Sequence, residues 1–132
     1  MDIEKIIDKV TTQTVVKLKK SNLMKNDEKS AFKKTEELLR CYHKYLAAIE
    51  THPEDTVKTQ KLIKILEKAL KTIEDDPYYS VIEMVYFEHK TREEVADFYD
   101  VEVKTVTRNK NRLINNIKVI VFSDKTIEEI FL

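Results

Sequence analysis

Between Val103 and Val121 the sequence reads VKTVTRNKNRLINNIKVIV, with five cations (Lys104, Arg108, Lys110, Arg112 and Lys118) and no carboxylate. At helical spacing Val106, Leu113, Ile117 and Ile120 take one face, joined by Ile114 and Val121. Lys104, Thr105, Thr107, Arg108, Asn111 and Arg112 fall largely on the other. That second set suits duplex DNA. Lysine and arginine neutralise phosphates, and arginine can donate two parallel bonds to guanine. Asparagine can pair with adenine, and threonine offers a hydroxyl to phosphate or a methyl to thymine. The N-terminal part of a groove-entering helix reaches the bases first. Lys104, Thr105, Thr107 and Arg108 are therefore expected at base edges, and Arg112 and Lys118 at the backbone. The bland alternative is a solvated basic face on a structural helix.

Other chemistries are poorly served. His43 and His89 lack neighbours at metal-ligand spacing, and Cys41 has no C-x-x-C partner, so no metal site is expected. The chain has no glycine with which to build a phosphate loop, and it shows no serine–histidine–acid pattern. Asp75 with Asp76, and Glu93 with Glu94, read as cap and first-turn residues rather than an acid–base pair. The tyrosines Tyr42, Tyr45, Tyr78, Tyr79, Tyr86 and Tyr99 recur at helical positions and read as core, with stacking on single-stranded bases as the weaker option. No enzyme and no cofactor are expected.

A neutral chain, with 24 cations against 24 carboxylates, looks at first unsuited to nucleic acid. The distribution is uneven. Glu74 to Glu102 holds ten acidic and two basic residues, so an acidic segment directly precedes the acid-free one. Whole-chain charge conceals this local footprint. The acidic patch of Glu83, Glu88, Glu93, Glu94 and Asp97 reads as solvated surface, with a docking face for a basic patch on RNA polymerase as the second reading.

The elements that position these residues are all helical, as a glycine-free chain with two prolines favours. Ile3, Ile6, Ile7, Val10, Thr14 and Leu18 give a first stripe over Asp2 to Lys19, and SNLMKNDE reads as a connection with Asn26 or Asp27 as the next cap. A second helix is predicted over Glu28 to Glu50, with Ala31, Phe32, Thr35, Leu38, Leu39, Tyr42, Tyr45, Leu46 and Ile49 facing inward. A third is predicted over Pro53 to Glu74, with Pro53 in its first turn and Val57, Ile63, Leu66, Leu70 and Ile73 inward. Leu62, Ile65 and Ala69 widen that stripe. The two should pair as an antiparallel hairpin.

Asp75-Asp76-Pro77 marks the clearest boundary. A helix is then expected from Tyr78 to about Glu88, with Tyr79, Ile82, Val85 and Tyr86 inward. Thr91 with Glu94 forms a capping box for a short helix that buries Val95, Ala96, Phe98 and Tyr99. Asp100 takes the left-handed position of the following turn, and Val101 plugs it from beneath. SDKTIEEIFL reads as a short terminal helix with Ile127, Ile130 and Phe131 on one side.

The stretch YYSVIEMVYFEHKTREEVADFYDVEVKTVTRNKNRLINNI resembles the region-4 helix-turn-helix of sigma-70-type factors, about a third of the chain. Together with the upstream FKKTEELLRCYHKYLAAIE, it is similar to the phage-encoded ArpU and RinA type regulators. The resemblance implies a small transcriptional regulator of phage or prophage late genes that binds double-stranded DNA. One departure is Glu102, which stands where the module usually carries a serine or threonine cap.

The expected organisation is an all-α chain. Residues 1–75 form a helical assembly region, 77–122 the helix-turn-helix and 123–132 a short helix or tail. Surplus apolar surface on the N-terminal helices suggests a homo-oligomer, most simply a dimer. A helical adaptor that binds only protein is the competing reading. No apolar run approaches the roughly 20 residues that span a bilayer. The start MDIEKIIDKV lacks a signal-peptide layout, and one cysteine fits a reducing compartment, so a cytoplasmic protein without membrane contact is expected.

Overall fold

The computed structural model describes residues 27–131, which form seven helices and no strand. The helix expected over Asp2 to Lys19 and most of the following connection lie outside the described residues.

The second predicted helix is two. α1 (Asp27–Arg40) and α2 (Tyr42–Thr51) meet at Cys41, whose backbone relaxes to φ −95, ψ 3. The bonds from Cys41 N–H to the Glu37 carbonyl and from Tyr45 N–H to the Cys41 carbonyl (both 3.0 Å) survive, so the joint is a kink and not a loop. It resets the inward face. Tyr45 and Ala48 are buried on α2, whereas Leu46, expected inside, is exposed.

Pro53 does not open the third helix. Residues 53–55 form a turn, and α3 runs Val57–Ile73. The Thr56 hydroxyl donates to the His52 carbonyl (2.8 Å), and the Gln60 amide donates to the Pro53 carbonyl (2.6 Å). These side chains offer the backbone an alternative to another helical turn. Val57 is consequently 51% exposed rather than core. Thr59, Leu62, Ile63, Leu66, Ala69, Leu70 and Ile73 form the buried face of α3, against which α2 packs.

At Asp76 the chain turns. The Asp76 carboxylate accepts the Tyr78 N–H (2.9 Å), and α4 (Tyr79–Ile82) follows. It passes directly into a π-helical turn over Glu83–Phe87, closed by the Glu88 N–H on the Glu83 carbonyl (2.9 Å). The wider turn inserts a residue and shifts the register. Met84 and, ahead of the turn, Val81 join the inward set expected at Ile82 and Tyr86, while Tyr79 and Val85 are only half-buried. His89 ends the segment at φ 56, a left-handed position that histidine tolerates.

α5 (Arg92–Tyr99), α6 (Val103–Val121) and α7 (Asp124–Phe131) complete the chain. α7 starts on a Ser123 hydroxyl that accepts the Thr126 N–H (3.2 Å), packs against α3 and buries Ile130. The terminal segment therefore docks on its own chain. α6 is the central helix and touches α1, α3, α4 and α5. Its Leu113, Ile114, Ile117 and Val121 lie in the main core with Leu39, Leu66 and Tyr86; its Val106 lies in a smaller one with Val81, Met84, Val95 and Ala96. Packing thus runs across the Pro77 turn.

One polar cluster is buried at this junction. Glu36 of α1 accepts the Tyr86 hydroxyl at 2.5 Å and the Lys110 ammonium at 3.2 Å, with Arg40 at 3.6 Å. Burial by itself raises the Glu36 carboxyl. The two hydrogen bonds and the charges of Lys110 and Arg40 outweigh that and leave it below its ordinary value.

Candidate nucleic-acid interface

α5 begins on the capping box read from the sequence. The Thr91 hydroxyl accepts the Glu94 N–H at 3.2 Å, and the Glu94 carboxylate accepts the Thr91 N–H at 3.3 Å. It ends at Asp100 with φ 54, ψ 51. The Val101 N–H reaches the Ala96 carbonyl (3.0 Å) and the Asp100 N–H reaches Asp97 (3.2 Å), the paired bonds of a Schellman ending. An aspartate fills the left-handed position, which its short polar side chain tolerates.

Ala96 is buried where α5 meets the smaller core. Ala96→Leu is expected to cost about 1–3 kcal/mol through overpacking. Chemical denaturation checks this, and an unchanged midpoint would show spare room at the crossing. Phe98, predicted inward with it, points out instead and is 65% exposed. On so short a helix Val95 and Ala96 fill the inner face, and Tyr99 leans on Tyr78 (ring centroids 5.0 Å).

α6 starts at Glu102, whose side chain makes no capping bond. Its carboxylate pairs with Lys104 at 3.5 Å, both side chains being well exposed. The five cations of α6 then separate into different environments. Lys104 and Arg108 are exposed near the N-terminal end. Lys110 is 7% exposed and bound to Glu36, and Lys118 is buried. Arg112 donates two bonds to Asp76 (2.8 and 2.9 Å) and a third to Asn109 (3.3 Å). Hydrogen bonding from Arg112 holds the Asp76 carboxyl below its usual range, against the opposing effect of burial. The open basic surface is thus narrower than the sequence tally of five suggests.

Thr105, Thr107 and Asn111 are half-buried, flanking Lys104 and Arg108 along the helix. The Tyr99 hydroxyl donates to the Pro77 carbonyl (3.2 Å), so the Asp76-Pro77 turn ties both α5 and α6 to the body. This fixes the angle at which the end of α6 is presented. Glu93, Glu94 and Asp97 are exposed on the outer side of α5, beside Phe98.

No family model, curated protein or solved structure matches the chain. Among the described residues no group of His, Cys, Asp or Glu could hold a metal ion, and no helix is long and apolar enough to cross a membrane.

Two groups of residues escaped the reading from sequence. The Glu36–Tyr86–Lys110 cluster joins positions 50 and 74 residues apart, and no local pattern announces it. The lysines of α3 (Lys58, Lys61, Lys64, Lys68 and Lys71) are all exposed. Their helical spacing is written in the sequence, on the side opposite the apolar stripe of α3.

Proposed function

We propose that the chain is a DNA-binding transcriptional regulator that presents the N-terminal half of α6 to the major groove of double-stranded DNA. One observation carries the reading. The exposed α6 cations not tied to the body, Lys104 and Arg108, cluster at the end that a recognition helix inserts first, while Arg112 is held by Asp76 and Lys110 and Lys118 are drawn into the molecule. The Schellman turn at Asp100 and the tie from Asp76 to Arg112 support a fixed presentation of that end. Thr105, Thr107 and Asn111 supply further base or phosphate contacts, and Arg112 serves the backbone when it leaves Asp76. The resemblance to ArpU and RinA type regulators points to phage or prophage late-gene control, the single cysteine to a cytoplasmic protein, and the surplus apolar surface of the N-terminal helices to a dimer on paired half-sites.

The test is binding to duplex fragments selected from random DNA, which reports both the sequence and the symmetry of the site. Lys104→Ala with Arg108→Ala is expected to weaken binding on the order of 100-fold while helical content holds, since specific arginine contacts are worth about 1–3 kcal/mol each. Equal affinity of the double variant and the parent would remove α6 as the reading helix.

A second reading has its own observation. Phe98 stands exposed among Glu93, Glu94 and Asp97, an aromatic on an acidic face, which suits a protein-interaction module docking on a basic patch of RNA polymerase. Capture of polymerase that depends on Phe98, together with no affinity for duplex DNA, would favour this module instead.

A further inference from the structure

Lys61, Lys64, Lys68 and Lys71 follow one another at steps of three, four and three residues, and Lys58 extends the row by one step. Such steps align side chains along one side of a helix. All five lysines are exposed, and none forms an ion pair among the described residues. The one carboxylate within α3, Glu67, accepts the Tyr42 hydroxyl at 2.7 Å. Glu129 borders the groove beside Lys61 and Lys64 but sits 4.0 Å from Lys125. Like charges at these steps weaken a helix, so the row is not explained by the stability of α3. At 1.5 Å per residue the row is about 20 Å long.

The chemistry of the row narrows its partner. A protein surface would want apolar or aromatic anchors, and lysine is depleted from such interfaces. The outward side of α3 offers half-buried Ile65 and, at its first residue, exposed Val57, two separate aliphatic side chains and no aromatic. A bilayer would want inserted apolar residues, but Leu62, Ile63, Leu66, Leu70 and Ile73 are all committed to the core. Duplex DNA carries one phosphate charge per roughly 1.7 Å of axis, enough to engage every lysine along the row. Lysine is a point charge without the fork geometry that reads a base, which suits phosphate contact without sequence preference.

We propose that the lysine row of α3 is a second nucleic-acid contact, binding the phosphate backbone independently of sequence. The row lies opposite the buried face of α3, while α6 presents Lys104 and Arg108 opposite its own buried face. The two surfaces are thus built on different helices and can be tested separately. The proposal shares its partner with the α6 reading but none of its residues.

The test uses the full chain, a random-sequence duplex and a salt series. Lys61→Gln, Lys64→Gln, Lys68→Gln and Lys71→Gln together are expected to reduce the slope of log affinity against log salt by about 3.6, at ~0.9 per lost phosphate contact. Helical content should match the parent and melting should be no lower, since the row's like-charge repulsion is removed. Should the fourfold variant misfold, Lys64→Gln with Lys68→Gln alone is expected to reduce the slope by about 1.8. An unchanged slope in a folded variant overturns the proposal. So does lysine-dependent binding to phosphatidylserine vesicles without any lysine-dependent binding to duplex. If Lys104→Ala with Arg108→Ala binds like the parent while the lysine variant loses affinity, the α6 reading falls and this one stands.

Discussion

Glu36→Leu is expected to lower the unfolding free energy by about 3–5 kcal/mol, the usual consequence of removing one partner from a buried ion pair. The Lys110 ammonium and the Tyr86 hydroxyl both point at the Glu36 carboxylate, and without it both largely buried groups lose their hydrogen-bond acceptor. Burial, and then the bond to Glu36, push the Tyr86 phenol up, so it stays neutral and donating at any ordinary pH. The loss should reverse in large part when Lys110→Met is added, because a well-packed apolar pair can replace a buried ionic one. Denaturant titrations of the parent, both single variants and the double variant measure the coupling. Additive losses would show that Glu36 and Lys110 do not act as a pair.

The same carboxylate gives a pH dependence. Its folded pKa lies below its ordinary value of 4.5, so its contribution is fully present above that value and is lost as pH falls through the folded pKa. Parent stability should therefore decline toward acid more steeply than that of Glu36→Leu.

The second large effect is expected at Ile114. It is fully buried on α6, in the main core shared with α1 and α3, so Ile114→Ala should cost about 2–5 kcal/mol as a lost side chain and a retained cavity. Because α6 also carries Val106 in the smaller core, far-ultraviolet circular dichroism and tyrosine fluorescence should report one coincident transition. Two separated transitions would show that the cores unfold independently.

Local signals carried much of the architecture. α6 spans Val103–Val121 as its apolar spacing and flanking turn indicate, and the Thr91 box and left-handed Asp100 sit where their residue types belong. These are decided within a few neighbouring residues, which is what a sequence exposes. The misplacements share another cause. The kink at Cys41 and the π turn at Glu83–Phe87 each change the phase of a helix without an obvious breaker, and the turn after Pro53 delays the start of α3, so inward assignments near each one shift. Leu46 and Phe98 lie on short helices that do not sustain the expected period, and Val57 is exposed because α3 begins only after the Pro53 turn.

At the candidate interface, position on α6 was legible but availability was not. Lys110 and Arg112 look like their neighbours in the sequence. Only Glu36 and Asp76, brought in from elsewhere in the chain, distinguish them from Lys104 and Arg108.

The sharing of α6 between two cores bears on how the molecule can be dissected. A fragment beginning at Tyr78 would keep α5, its turn and the whole of α6, yet it would strip the cover of α1 and α3 from Leu113, Ile114, Ile117 and Val121. Such a piece would carry the exposed end of α6 on a greasy stem prone to aggregation, with Lys110 severed from its counter-ion. The helix pair is thus a tip that borrows its rigidity from the body, and it is not a portable module.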